Sequence, residues 1–398
     1  MKRPVIQRIS ELERRYVIEV LESGFRSSKG GAMTARLERA FADLHSMKFA
    51  ISFVNGTATM HAALLAAEIG PGDEVIVPPL TMSSTTFAVL QAGATPVFAD
   101  VDIETFNICP QSMARCVSAR TRGVIPVALY GLPPDMDAIM QVAKQNKLTV
   151  IEDDAETMFA RYKDKLMGTF GHANSFSFQS SKHLTAGEGG MILTNDEDLA
   201  VKIRRFNSLG YAGVDAKKAK ITRDDIQDPE YSRHVSTGYN YRMPELCAAV
   251  VLGQLERSSE LLGRRIEVAE LFLSVIRDCS WLKPQSTPED RTNTYWTLAV
   301  RMMHPQLSWR QFRRRFRELG GDGIYAAWKL TYLEPMFASG LPLSYHSSSS
   351  APQKYGVGLC PNAELLQRQM LQFKTNYWDW EDAERQAEIL AKTIKELS

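Results

Sequence analysis

Apolar positions along this chain change their period twice. Near the N-terminus, "SELERRYVIEVLESGF" (10–25) places Leu12, Tyr16, Val17, Val20 and Leu21 at helical spacing. Ser10 and Glu13 stand in capping-box positions and Gly24 supplies a stop. The pattern predicts an amphipathic helix that packs on the main body or on a partner subunit. From about residue 50, short continuous apolar runs take over, at 50–54, 74–79, 95–101, 123–131, 148–154, 174–179 and 190–195. Helical stretches at 58–70, 85–94 and 135–147 separate several of them. Continuous apolar strands alternating with helices predict a mostly parallel sheet covered on both faces. The last two runs are joined by too short a link for a crossover helix, so a pairing there is antiparallel or non-adjacent.

After about residue 245 the period becomes helical again, at 264–277, 309–320 and 379–397, with Asp379 as N-cap of the last. One strand pattern, 294–302, stands among these helices. The reading is two domains: a large α/β domain with its N-terminal helix over 1–250, and a smaller α+β domain over 251–398. The stretches 214–233 and 344–353 read as loops.

Composition narrows the class. The 398 residues are 44% hydrophobic and 23% charged, with net charge +1, which is ordinary for a globular protein and gives no reason to expect a nucleic acid partner. The five cysteines are scattered without a CxxC pair, and the seven histidines lack metal-ligand spacing. Neither a disulfide framework nor a metal site is expected. Lys2 and Arg3 lead into Pro4 and a charged stretch rather than an apolar core, and no apolar run approaches the ~20 residues of a membrane helix. A cytoplasmic protein is expected.

Three stretches carry chemistry. "NGTAT" (55–59) lies between a strand and a helix; Gly56 permits a sharp turn, and the amides of Thr57 and Ala58 with the Thr57 hydroxyl suit a phosphate dianion. Such a turn more often serves only as a helix cap. "VIEDDAE" (150–156) puts acids at the carboxyl end of a strand, where α/β sheets bind ligands. Each acid taken singly is more often a cap or a solvated charge. "SFSFQSSKHLTAGEGGMILTND" (175–196) places Lys182 between two strands beside a Gly-rich turn. A lone strand-end lysine is more often a surface charge than a nucleophile. Together, however, a phosphate turn, a strand-end acid and a lysine are the three contacts that pyridoxal 5'-phosphate requires.

With these residues the sequence resembles the DegT/StrS family of sugar aminotransferases, fold-type I pyridoxal-phosphate enzymes. The likeness rests on "GTATMHAALLAAEIGPGDEVIVPP", "AGATPVFADVDIETFNI", "VIEDDAE", the 175–196 stretch and "GYNYRMPEL". The resemblance implies a large domain with a mostly parallel seven-stranded sheet in an α/β/α sandwich, and a smaller C-terminal α+β domain. It implies that Lys182 bonds the cofactor covalently, that Asp153 faces the pyridine nitrogen, and that Gly56, Thr57, Ala58 and Ser177 surround the phosphate. Asn240, in "GYNYRMPE", matches a segment that reaches the phosphate of the other subunit, which implies a homodimer with shared active sites.

This chain departs from the family at several positions. Met82 stands where members often carry an aromatic residue over the ring. Glu156 replaces the Gln or His near the phenolic oxygen, so its carboxylate is expected to be protonated, bridged or turned away. His183 replaces a frequent Asn, and Ala128 a His. A related branch has histidine at the lysine position and removes a hydroxyl; Lys182 favours transamination.

The implied activity is ping-pong transfer of an amino group from L-glutamate or L-glutamine to a nucleotide-linked keto-deoxysugar, with a keto-cyclitol as the alternative acceptor. Trp328, Tyr332 and Tyr377 are candidates to stack on it, with core packing as the alternative for each. A non-catalytic cofactor-binding regulator would have no need to keep both Lys182 and Asp153, and both are present.

Overall fold

The computed structural model describes residues 3, 5–26, 32–218, 227–338 and 355–398. The predicted loop 344–353 lies outside the described residues, as does part of the predicted loop 214–233.

All seven apolar runs enter one sheet. Its strands are β1 (Phe49–Phe53), β2 (Glu74–Val77), β3 (Thr95–Phe98), β4 (Thr121–Val124), β5 (Thr149–Asp153), β8 (Ala173–Ser177) and β9 (Gly190–Thr194), with β6 (Arg161–Tyr162) and β7 (Lys165–Leu166) forming a separate hairpin. The order is β1-β9-β8-β5-β4-β2-β3. Pairs from β3 across to β8 are parallel. β9 runs antiparallel to both β8 and β1, as the short β8–β9 link requires. The run predicted to span 123–131 ends as a strand at Val124. Beyond it the backbone turns at Leu129–Gly131, where Tyr130 takes φ 63°, a left-handed conformation no strand contains.

Helices α1 (Glu11–Glu22), α2 (Met33–His45), α3 (Gly56–Ala66), α4 (Ser84–Gln91), α5 (Pro110–Arg115), α6 (Met136–Asn146) and α7 (Glu197–Asn207) come from the same half of the chain. The predicted capping box of α1 is present, with the Ser10 amide donating to Glu13 at 2.8 Å. The buried face of α1, Tyr16 and Val20, packs on α8 (Glu245–Glu256) of the same chain. Two hydrophobic clusters lie on opposite faces of the sheet, one around Ile51, Val75, Val77 and Ile151, the other around Ile76, Val97, Val124 and Val150. A fully buried strand with period-2 alternation feeds both.

The C-terminal half builds a second, smaller layer. Strands β10 (Leu282–Pro284), β11 (Thr297–Met302) and β12 (Met370–Lys374) form an antiparallel sheet. Only β11 was expected from the pattern; β10 is three residues long and β12 follows directly on a helix. Helix α9 (Ser258–Ile276), Trp309–Glu318 and Trp380–Leu397 cover this sheet through Phe272, Phe312, Phe316 and Leu390. Asp379 caps the last helix by accepting from the Glu381 amide at 3.0 Å. No helix among the described residues is long and apolar enough to cross a membrane.

Candidate active site

A cleft of about 360 Å³ opens at the carboxyl ends of β5 and β8. It gathers Gly56, Thr57, Met82, Asp153, Glu156, Ser177 and Lys182, residues spread over more than a hundred positions of sequence. The β5 strand ends on Asp153, which is 4% exposed. Asp153 Oδ2 accepts from Thr85 Oγ1 at 2.7 Å and Oδ1 from the Ala155 amide at 3.2 Å. Burial raises its pKa, an effect opposed by those two hydrogen bonds and by the charge on Lys182. A carboxylate has about four acceptor positions, so these two bonds leave capacity toward the cleft.

Lys182 follows β8 on a tight turn closed by its own amide, which donates to the Gln179 carbonyl at 2.9 Å. Its side chain is 11% exposed, and Nζ donates to Glu156 Oε1 at 3.2 Å. The Trp296 ring lies with its centroid 4.6 Å from the same Nζ. Glu156 is thus bridged. Its other oxygen accepts from the Tyr130 amide at 3.2 Å, and the left-handed backbone at Tyr130 is part of the turn that presents that amide. Burial raises the Glu156 pKa, while Lys182 and the Tyr130 amide draw it back.

The helix start at Gly56 abuts Ser177 so closely that a Cβ at position 56 would stand 3.1 Å from the Ser177 Cβ. Gly190 serves the same junction: a Cβ there would come within 2.6 Å of the Asn55 carbonyl. Two glycines of the Gly-rich turn allow close approach: a Cβ at 189 would meet Met243 and Phe178, and one at 190 the Asn55 backbone.

The Ala58 amide donates to Asn55 Oδ1 at 2.8 Å, the cap bond of α3. The amides of Gly56 and Thr57 remain at the helix start without an intrahelical carbonyl partner. Asn240 is exposed and bridges Ser208; it is not among the residues lining the cleft. His183 turns away from the cleft and is 2% exposed, its Nε2 2.9 Å from the Thr294 carbonyl. Burial and the nearby Arg265 hold its pKa down at about 3, so it is a neutral donor there.

Met82 is half-exposed at the cleft wall. Of the three aromatic candidates, Trp328 is 47% exposed and lines the cleft. Tyr332 is core, its hydroxyl donating to Glu364 at 2.7 Å, and Tyr377 packs on Phe272 while donating to Asp322 at 3.0 Å. Thr85 and Trp296 were not anticipated. Trp296 reaches the cleft from the C-terminal half, and no local pattern around "TYWTLAV" marks it.

These residues fit pyridoxal phosphate. A buried acid with spare acceptor capacity, a lysine held by an acid, and a helix start beside a serine share one cleft of suitable size.

Residues 7–355 match the DegT/DnrJ/EryC1/StrS aminotransferase family. A GDP-perosamine synthase of Escherichia coli O157:H7 is 38% identical over 288 residues, covering 72% of this chain and 74% of that protein. A GDP-perosamine synthase of Caulobacter vibrioides is 42% identical over 262 residues, covering 66% of each chain. The solved aminotransferase of Psychrobacter cryohalolentis superposes with TM-score 0.83 at 30% identity, covering 100% of this chain and 98% of that one. The chain belongs to the DegT/DnrJ/EryC1/StrS aminotransferase family, and it is a pyridoxal-phosphate-dependent enzyme.

Proposed function

We propose that this family member transfers an amino group from L-glutamate or L-glutamine to the keto group of a nucleotide-linked sugar, in a ping-pong cycle. The observation that carries the reading is the convergence of Lys182, Asp153 and Glu156 on one cleft beside the α3 start. The acceptor class is supported by the likeness to GDP-perosamine synthases, and the half-exposed Trp328 offers a stacking face for it.

Bound pyridoxal phosphate supplies an electron sink for the carbanion formed at the amine-bearing carbon. The chain's residues do the rest. Lys182 Nζ is the covalent anchor and, once displaced by the donor, the base that moves the donor's Cα proton. Glu156 holds that Nζ over the cleft at 3.2 Å and prevents it from drifting into solvent. Asp153 keeps a proton on the ring nitrogen by a charge-assisted hydrogen bond, itself oriented by Thr85 and the Ala155 amide. The Gly56 and Thr57 amides, the Thr57 hydroxyl and Ser177 bind the phosphate, aided by the helix dipole. The exposed segment around Asn240 completes the phosphate site of a second copy, giving a homodimer with shared sites.

The test is to add L-glutamate and then L-glutamine to the purified holoenzyme, following the cofactor's visible absorption and the release of 2-oxo acid. GDP- and other nucleotide-linked keto-sugars, and then keto-cyclitols, are offered to the aminated enzyme. Conversion by the donor followed by return of the original spectrum with a nucleotide-linked keto-sugar supports the reading. Return only with keto-cyclitols moves the acceptor to that class, and no response to either donor removes the proposed chemistry.

A further inference from the structure

One buried arginine grips the backbone on both sides of Lys182. Arg265, on α9, is 1% exposed. Its Nη2 donates to the carbonyls of Ser181 and Lys182, each at 3.1 Å. Its Nη1 donates to the Trp296 carbonyl at 3.0 Å and to Thr375 Oγ1 at 3.3 Å. No carboxylate pairs with it among the described residues. Burial lowers its pKa to about 9, which leaves it charged at neutral pH.

A buried charge without a counter-ion is costly, and is tolerated only where its donors are well used. Here Nε is left without a partner among the described residues, and the two terminal nitrogens are used on neutral oxygens, three of them backbone carbonyls of residues that line the cleft. The Ser181 and Lys182 carbonyls lie in the two peptide planes that flank the Lys182 Cα. Fixing both planes fixes the direction in which the lysine side chain leaves the backbone. The same guanidinium holds the Trp296 backbone, and the Trp296 ring sits 4.6 Å from Lys182 Nζ while its Nε1 donates to the Ser181 carbonyl at 2.9 Å. A planar fork of donors is needed to reach three such carbonyls at once, and an ammonium does not reproduce it.

We propose that Arg265 is a positioning residue for the reaction: it sets the direction of Lys182 and its register against Trp296, tying the lysine loop to the C-terminal half of the chain. The proposal rests on the reading of Lys182 as the residue that bonds the cofactor. Its action is through backbone, not through contact with substrate.

The experiment measures how fast added pyridoxal phosphate becomes borohydride-fixable on the apoenzyme, with the labelled peptide identified by mass spectrometry and thermal unfolding recorded alongside. In the wild type the label falls on Lys182. In folded Arg265→Met, attachment slows by about 10²-fold, the scale expected of a misplacement near 1 Å. Arg265→Lys stays slow. Arg265→Gly recovers much of the rate when low concentrations of guanidinium ion are added, a rescue that a loss of global stability does not produce.

Wild-type attachment rates in Arg265→Met, or a loss that follows the unfolded fraction and ignores guanidinium, overturn the proposal. Where Arg265→Met does not fold, Trp296→Phe removes one donor to the same Ser181 carbonyl; it is expected to slow attachment severalfold, and an unchanged rate counts against the proposal. A wild-type label on another lysine removes the premise itself.

Discussion

Neighbouring residues at the ends of β5 and β8 serve opposite sides of the molecule. Asp153, Glu156 and Lys182 face the cleft, where each keeps an interaction that can change. Glu152, Asp154 and His183 sit one position from Asp153 or Lys182, are as deeply buried, and do not line the cleft; Glu152 and His183 are tied into the fold by hydrogen bonds, while both Asp154 carboxylate oxygens are buried without a hydrogen-bond partner among the described residues. Glu152 accepts from the amides of Gly168, Phe170 and Gly171 at 2.8, 2.7 and 2.5 Å. Asp154 is pushed far toward its protonated form by burial and then by the charges of Glu152 and Asp153. His183 binds the Thr294 carbonyl. At β5 the difference follows from strand alternation, which sends Glu152 and Asp153 to opposite faces; Lys182 and His183 lie beyond β8, where the turn closed by the Lys182 amide on Gln179 sets them apart. It teaches that a buried acid with a raised pKa is not by that fact catalytic. What separates the two groups is the cleft, and unfilled capacity facing it.

The comparison can be broken from either side. The largest effect is expected for Lys182→Ala, which abolishes turnover and the cofactor's covalent absorption band in protein that still folds, with some loss of thermal stability because Glu156 loses its buried partner. Asp153→Asn comes next. It keeps the shape of the site but loses the charge that holds the ring proton, so kcat in a donor half-reaction falls by about 10² or more. Stability in this variant is expected to hold or rise slightly, because a buried acid is replaced by a neutral amide.

Glu152→Ala gives the reverse pattern. It strands three amides and costs about 3 kcal/mol or more in urea unfolding, while the folded fraction keeps its KM and kcat. A graded effect is expected with pH. His183 has its pKa held at about 3, and His45 and His61 theirs at about 4, each mainly by burial. Between these values and an unfolded value of about 6.5 the unfolded chain binds more protons. The histidines' contribution to stability therefore rises with pH through this window and is lost as pH falls below about 6.5, with a slope of up to about 4 kcal/mol per unit if all three contribute; the buried carboxylates Glu152, Asp153, Asp154 and Glu156, whose pKa values are raised by burial, act with the opposite sign. Urea titrations at pH 7, 6 and 5 of the wild type and of His45→Gln and His61→Gln isolate the histidine contribution, which is expected to flatten in the variants. The least effect is expected for Thr85→Val, which removes one hydrogen bond orienting Asp153 and slows the half-reaction by about tenfold.

Much of this arrangement was legible in the sequence because it is local. Apolar runs bounded by turns became seven strands, and the Asn55–Gly56, Asp153 and Lys182 stretches each carry their chemistry within a few residues. The sheet order was not legible, since it depends on which strands meet across long loops. Nor were the partners that come from far away. Thr85 reaches Asp153 across 68 positions, and Arg265 reaches Lys182 across 83. The cap bond of the Ala58 amide to Asn55 was not legible either, because a one-residue difference decides whether a helix-start amide meets the cap or the cleft. Glu156 was expected to need a proton, a bridge or a turn away, and the bridge to Lys182 is the solution the fold adopts.

The central claim is that the cleft side of this pair carries transamination through Lys182. The most direct measurement is the visible spectrum of the purified holoenzyme, titrated with L-glutamate and L-glutamine, for wild type and Lys182→Ala side by side. The account predicts a covalent absorption band in the wild type that disappears with donor as 2-oxo acid is released, and neither band nor release in the variant. A Lys182→Ala protein that keeps the band and still releases 2-oxo acid would contradict it.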